Sequence, residues 1–183
     1  MNRIGNSSGI IYPPLFAVLI AVCSWLSIPS AVPFTMQTFG VCLTLLLLGG
    51  KGGTAAVLVY LFMGTIGLPV FHGFTGGLGV LMSPSGGFLL GFAAMAGAYW
   101  IITHVSKNKP FSKAVGIAAG MTVCYIAGTL WFAVLYTEGT GTVNVGAVLG
   151  VCVLPFIVPD MIKILLAFYL TKRIHRHTKN LYL

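Results

Sequence analysis

The stretch Thr35-Met-Gln-Thr-Phe-Gly-Val-Cys-Leu-Thr-Leu-Leu-Leu-Leu48, followed at once by Gly49-Gly50-Lys51-Gly52-Gly53, decides how the rest of the chain is read. Four consecutive leucines close the run, and Leu43–Leu48 does not keep the alternation of apolar and polar residues that a membrane β-barrel strand needs. In hydrocarbon every backbone N–H and C=O must be satisfied within the protein, so such a run is read as a helix. It belongs to a longer charge-free stretch. No Asp, Glu, Lys or Arg stands between Arg3 and Lys51, between Lys51 and Lys107, or between Lys113 and Glu138. A membrane-spanning helix takes about 20 such residues.

Composition agrees with that reading. The 183 residues are 57% hydrophobic and 7% charged, with a mean hydropathy of +0.99. A soluble domain carries about 25% charged residues, so this chain lacks the groups to cover a water-facing surface. Gly and Pro divide the apolar runs into six helices: Tyr12–Ile28, Thr35–Leu48, Thr54–Leu68, Gly86–Val105, Phe111–Tyr136, and a last one within Val145–Arg173. Pro155 and Pro159 interrupt the last near its start. The fold expected is an all-α integral membrane protein, a compact bundle of six transmembrane helices. It forms one substrate-binding domain over 1–183, with short cytoplasmic tails at 1–11 and 174–183.

The charges give this division an independent test. With six spans, one side receives both termini and the loops after the second and fourth helices. Nine of the ten Lys and Arg fall there: Arg3, Lys51, Lys107, Lys109, Lys113, Lys172, Arg173, Arg176 and Lys179. The other side receives none of them and carries Glu138 and His72. Cytoplasmic loops collect basic residues, so both termini are expected in the cytoplasm. The basic tail reads as a collar for lipid headgroups or a partner, not as a nucleic-acid patch. The first apolar run is followed by five more and reads as a retained helix, not a signal peptide.

Several chemistries lack material. Gly49–Thr54 (GGKGGT) has the wrong spacing for a phosphate loop, and no H-E-x-x-H occurs. Only two acids, Glu138 and Asp160, exist in the chain, too few for carboxylate-pair catalysis. Energised transport would need another chain or an ion gradient. Cys23, Cys42, Cys124 and Cys152 are scattered through apolar runs without a C-x-x-C, and read as buried small side chains. No enzyme activity, metal or cofactor is expected.

Asp160 and Lys163, in VPDMIKILL, are the exception inside the apolar runs. Their i, i+3 spacing puts both on one helix face, and each charge at membrane depth costs about 2.5–3.5 kcal/mol. If a helix starts at Pro159, Asp160 lies in its first turn, where the dipole favours a carboxylate. The pair is either a salt bridge that fixes helix packing or a ligand site. The outer loops favour a ligand. Gly67–Gly87 is Gly-rich, apolar and uncharged, with backbone able to approach a bound molecule. Thr35 and Gln37 offer neutral hydrogen-bonding groups beside Phe34 and Met36, or serve as helix caps. His72 reads first as an ordinary exposed loop residue. Small residues at helical spacing, Ala17-x-x-x-Ala21, Gly87-x-x-x-Gly91 and Gly116-x-x-x-Gly120, allow close helix contacts in lipid.

Three segments in order carry a resemblance: VPFTMQTFGVCLTLLLLGGKGGTAAVLVYLFMGTIGLPVF (Val32–Phe71), SPSGGFLLGF (Ser83–Phe92) and LPFIVPDMIKILLA (Leu154–Ala167). Together they resemble the BioY family, the biotin-binding S components of energy-coupling factor (ECF) transporters. The chain departs mildly from the family at Pro84-Ser85-Gly86-Gly87-Phe88, where a Pro-Thr-Gly-Gly-Tyr-like run is usual, and at His72 and Phe74, where small residues are usual. The resemblance implies a multi-pass protein of the bacterial plasma membrane that captures biotin from outside. It implies partners: a transmembrane coupling subunit and two cytoplasmic ATPase subunits. Ala17 and Ala21 match an alanine-x-x-x-alanine pattern that docks on the coupling subunit in related S components. Biotin's ureido ring, thiophane ring and valerate chain would meet Asp160 and Lys163, the polar groups Thr35, Gln37 and Ser85, the rings of Phe34, Tyr60 and Phe74, and the backbone at Gly86. An S component for another vitamin, a stand-alone ion-coupled transporter and a membrane-embedded enzyme are the rival readings.

Overall fold

The computed structural model describes residues 4–28, 32–106, 109–140 and 145–181. Among these residues the chain is helical apart from short strand pairings. α1 (Ile4–Trp25) begins inside the expected N-terminal tail and carries Pro13 and Pro14. An antiparallel ribbon of two-residue strands, β1 (Ser27–Ile28) and β2 (Phe34–Thr35), leads into α2 (Gln37–Thr65). A 3-10 turn, His72–Phe74, and the short α3 (Leu78–Leu81) fill the Gly-rich connection. Then come α4 (Gly86–Val105), α5 (Pro110–Thr140), α6 (Val145–Cys152) and α7 (Leu154–Leu181).

The helices expected at Thr35–Leu48 and Thr54–Leu68 are present, but no loop separates them. The break is the single residue Gly49, with φ 72° and ψ −177°. That region of backbone space is essentially reserved for glycine. The chain reverses there. A Cβ built on Gly53 would stand 2.9 Å from the Cα of Leu45, and the Gln37 amide donates to the Tyr60 hydroxyl at 2.9 Å. In a straight helix Gln37 and Tyr60 would be about 34 Å apart. The two arms of α2, 37–48 and 50–65, therefore lie antiparallel. Their inner faces, including Val41, Leu45, Val57 and Tyr60, are buried in the core.

The small-residue patterns sit where helices meet. A Cβ on Gly87 or Gly91 of α4 would press on Trp131 or Cys124 of α5, and one on Gly116 or Gly120 of α5 would press on Tyr99 or Met95 of α4. These glycines let the two helices approach closely, which is what drives helix association in lipid. Ala17 and Ala21 are buried, at 0% and 2% exposure, in the core that α1 shares with α2. The outward face of α1 is instead Ile11, Leu15, Val18 and Val22.

Three expected boundaries shift at the C-terminal half. Residues 137–140, read as loop, complete α5; Gly141 lies outside the described residues. The interruption before the last helix is one turn residue, Val153, between α6 and α7. Pro155 takes an early position in α7, where its missing N–H would be unpaired anyway. Asp160 consequently sits well inside α7 and not in a first turn, so the helix dipole does not explain its charge. The helix continues to Leu181, through most of the expected C-terminal tail. Of the basic residues counted above, Arg3 and Lys107 lie outside the described residues.

Among the described residues four helical segments are long and apolar enough to cross a membrane: Gln37–Thr65, Gly86–Val105, Phe111–Leu135 and Val148–Arg176; Ile11–Trp25 is a shorter apolar helix. Many large apolar side chains point outward, among them Leu130, Val158, Ile162 and Leu165. For a soluble protein that surface would be a liability; facing hydrocarbon, it is the solvated surface.

Candidate functional site

The ribbon before α2, the Gly-rich connection and helices α4, α5 and α7 enclose a cavity of about 580 Å³, counting the part open to solvent. β2 and α2 contribute Thr35, Gln37 and Thr38; the connection contributes His72 and Ser85; α4 contributes Phe88, Leu89 and Phe92. α5 adds Met121, Cys124 and Tyr125, and α7 adds Phe156, Asp160 and Lys163.

Asp160 and Lys163 form an ion pair at 2.8 Å, and both are about 95% buried. Each partner is held from a second side. The Tyr125 hydroxyl donates to the other Asp160 oxygen at 2.5 Å. The Lys163 ammonium donates to the Thr35 carbonyl at 2.7 Å and lies 4.0 Å from the centroid of the Phe34 ring. Phe34 in turn stacks on Phe156, with centroids 6.1 Å apart. The β1–β2 pairing of Ile28 with Phe34 and of Ser27 with Thr35 presents this ring and carbonyl to Lys163. The pair thus joins α7, α5 and the ribbon around one cluster.

Hydrogen-bond capacity remains after these contacts. An ammonium has three donors and a carboxylate about four acceptor sites. Lys163 donates to two oxygens and Asp160 receives two bonds. The pair can therefore present a donor and an acceptor side by side to a neutral ligand. A second polar group lies at the connection. The Ser83 and Ser85 hydroxyls are 2.9 Å apart, and His72 Nε2 is 3.3 Å from the Ser85 hydroxyl. Partial burial pushes the His72 imidazole below its ordinary pKa, because desolvation disfavours the charged ring.

The residues expected from sequence separate into two sets. Asp160, Lys163, Thr35, Gln37 and Ser85 converge on the cavity, and Phe34 covers Lys163 from its side. Tyr60 is fully buried behind the cavity wall, where its hydroxyl receives the Gln37 amide and its ring meets Phe71 edge-on. Phe74 is 64% exposed and stacks on Trp25, outside the cavity. Gly86 starts α4 behind Ser85, and a Cβ there would strike the Leu81 carbonyl; its close backbone neighbour is α3, not the cavity. His72, read from the sequence as an exposed loop residue, is half-buried and lines the cavity.

Tyr125 and Phe156, beside the ion pair, and Phe88 and Phe92 on α4 are among the lining residues that sequence reasoning missed. Tyr125 is one of two tyrosines, with Tyr136, in the uncharged run Lys113–Glu138, a signal present but not decisive. Phe156 gives no signal, because any apolar side chain fits its pattern. The four cysteines are free and buried.

Comparison with known proteins places this geometry. The Biotin transporter BioY of Thermotoga maritima is 38% identical over 165 residues, covering 88% of this chain and 92% of that protein. The Biotin transporter BioY of Rhodobacter capsulatus is 32% identical over 173 residues, covering 89% and 90%. The Probable biotin transporter BioY of Pyrococcus horikoshii is 34% identical over 165 residues, covering 90% and 94%. A solved structure described as the S-component for biotin from an ECF-type ABC transporter superposes with a TM-score of 0.81 at 23% identity, over 96% of this chain and 95% of that one. At that identity the superposition establishes a shared fold. The BioY family model matches residues 1–180, a span that takes in every element around the cavity, and the chain is a multi-pass membrane protein that belongs to the BioY family.

Proposed function

We propose that this chain is the biotin-capturing subunit of an ECF-type uptake transporter. The observation that carries the proposal is the buried Asp160–Lys163 pair, braced by Tyr125 and Thr35 and lining a cavity with the rings of Phe88, Phe92 and Phe156. A cyclic urea carries a carbonyl beside two N–H groups. Lys163 would donate to the carbonyl and Asp160 would accept an N–H. Phe88, Phe92 and Phe156 supply apolar walls for the thiophane ring. The ligand carboxylate is repelled by Asp160 and finds donors at Ser85 and His72, so the valerate chain would run toward the Gly-rich connection.

The relatives named as biotin transporters support biotin as the ligand. The nucleotide chemistry is then left to partner ATPases and a membrane coupling subunit, since this chain has no phosphate loop. We further propose six crossings: α1, the two arms of α2, α4, α5, and α6–α7 together. The reversal at Gly49 supports counting α2 twice. With the basic residues on one side, both termini and the Gly49 turn would face the cytoplasm and the cavity mouth would face outside.

The test is a titration of the purified chain in detergent with biotin, dethiobiotin, thiamin and riboflavin. Saturable binding of biotin at one site, with neither thiamin nor riboflavin competing, is the expected result. Preference for either other vitamin would sink the assignment.

A further inference from the structure

Behind the Tyr125–Asp160 hydrogen bond, on the side away from the ligand cavity, α5 and α7 stand apart. α5 packs on α4, and α7 packs on α2. Between them runs a groove of about 950 Å³, counting its open side. Two facing stripes line it, Ala114, Ala118 and Met121 on α5 and Met161, Leu165 and Phe168 on α7. They recur every three or four residues, the pattern by which helices normally pack directly on one another. Here the α7 stripe is left open, with Met161 54% and Leu165 63% exposed. Its polar residues are Tyr125 and Asp160, at one end.

The other end is basic. From the Tyr125–Asp160 bond the groove runs back to Ala114 on α5 and on to Phe168 on α7, so the helices run antiparallel and can be measured from that bond. Lys113 stands twelve residues before Tyr125, and Lys172 twelve after Asp160. At 1.5 Å per residue both lysines lie about 18 Å from the bond, at one depth, flanking the mouth of the groove. An apolar groove that ends between two lysines matches an anionic lipid, whose acyl chain meets the two stripes and whose head meets the basic side chains.

We propose that this groove holds an acyl chain of an anionic phospholipid from the surrounding bilayer, with the phosphate between Lys113 and Lys172 and the chain end against Tyr125. The lipid completes the outer wall of the Asp160 cluster, where the protein itself supplies no packing. The groove and the ligand cavity share the wall formed by Met121, Tyr125 and Asp160, and lipid retention is read with no vitamin present, so its failure and that of the proposed function are distinguishable.

Native mass spectrometry of the purified full chain, supplied with equal dioleoyl-phosphatidylglycerol and dioleoyl-phosphatidylcholine, reads the site directly. One retained phosphatidylglycerol per chain is expected. Lys113→Gln and Lys172→Gln should each lower its preference over phosphatidylcholine by about fivefold, the attraction of one basic side chain for an anionic lipid surface. Ala118→Phe, which fills the groove from an exposed position, should abolish retention of both lipids with thermal unfolding unchanged. Leu165→Trp serves as a second filling variant should Ala118→Phe unfold. Equal retention of the two lipids by the unaltered chain overturns the proposal. So does undiminished retention in a folded groove-filled variant, or a dimer that these variants dissociate.

Discussion

Asp160 bonds to Lys163 through one oxygen and to Tyr125 through the other, so it both packs the bundle and faces the cavity. Substitution can separate the two roles. Asp160→Asn leaves the Lys163 charge buried without its counter-ion, a change that costs about 3–5 kcal/mol. The double variant Asp160→Asn with Lys163→Gln removes both charges and orphans neither. If the pair only fixes helix packing, the double variant regains stability and binds biotin as the unaltered chain does. Under the proposed function it regains stability, while affinity stays about tenfold or more below, since a hydrogen bond to a charged group contributes roughly 1.5–3 kcal/mol. Thermal unfolding and biotin titration on the same samples decide between them. His72 gives a pH test. Its imidazole is held below its ordinary pKa and is neutral in the empty site at pH 7. A bound carboxylate favours the protonated ring, so binding should tighten as pH falls through the His72 pKa. The other titratable groups lining the cavity are Asp160, Lys163, Tyr125 and Cys124, so His72→Gln must flatten that acid limb. A limb that persists in the variant assigns the effect elsewhere. Asp160 and Lys163 were legible in the sequence because two charges in an apolar run stand out at once. Tyr60 and Phe74 misled because an aromatic residue in a membrane chain packs a core or meets lipid as readily as it meets a ligand.

At the scale of elements, the turn at Gly49 sets the register between the arms of α2 and so brings Gln37 to Tyr60. Nothing lies within 4 Å of a Cβ built there, so the constraint is backbone conformation alone. Gly49→Ala should destabilise the bundle by about 1–3 kcal/mol, the cost of holding a side-chain-bearing residue in that region. Gly97→Ala is the control. It also has open space, within a regular helix, and should not lower the unfolding temperature. Equal effects at both positions would mean that the turn is not strained by a Cβ. The sequence announced a break at Gly49–Gly53, since four glycines in five residues cannot propagate a helix well. It did not announce a one-residue reversal. That depends on Gly53 letting Leu45 approach, a contact between residues on opposite arms. The start of α7 was misplaced for a related reason. Pro159 is tolerated inside the helix, so the proline pattern alone put the boundary too late.

For the whole molecule, charge segregation predicts a definite topology. Lys51 is exposed just past the Gly49 turn, and Gly79 is exposed in the connection beside the cavity, with open space around its Cα. In intact cells a membrane-impermeant maleimide should label Gly79→Cys. It should label Lys51→Cys only after permeabilisation. The four native cysteines are buried and contribute little background. Labelling of both positions from outside would refute six crossings with cytoplasmic termini. Sequence by itself determined that this chain lives in a membrane, that it is helical, and which two charges need explaining, because these follow from composition and order alone: a charge or a glycine has its cost wherever the chain goes. Only tertiary structure decided which polar groups share a cavity. Tyr125, Thr35 and Lys163 stand far apart in sequence, and their convergence around Asp160 depends on how three helices and a two-residue ribbon pack. The same packing put Ala17 and Ala21 inside the core and left the α5–α7 groove open, since one small-residue or apolar pattern serves burial, docking and lipid contact equally well until neighbours are in place.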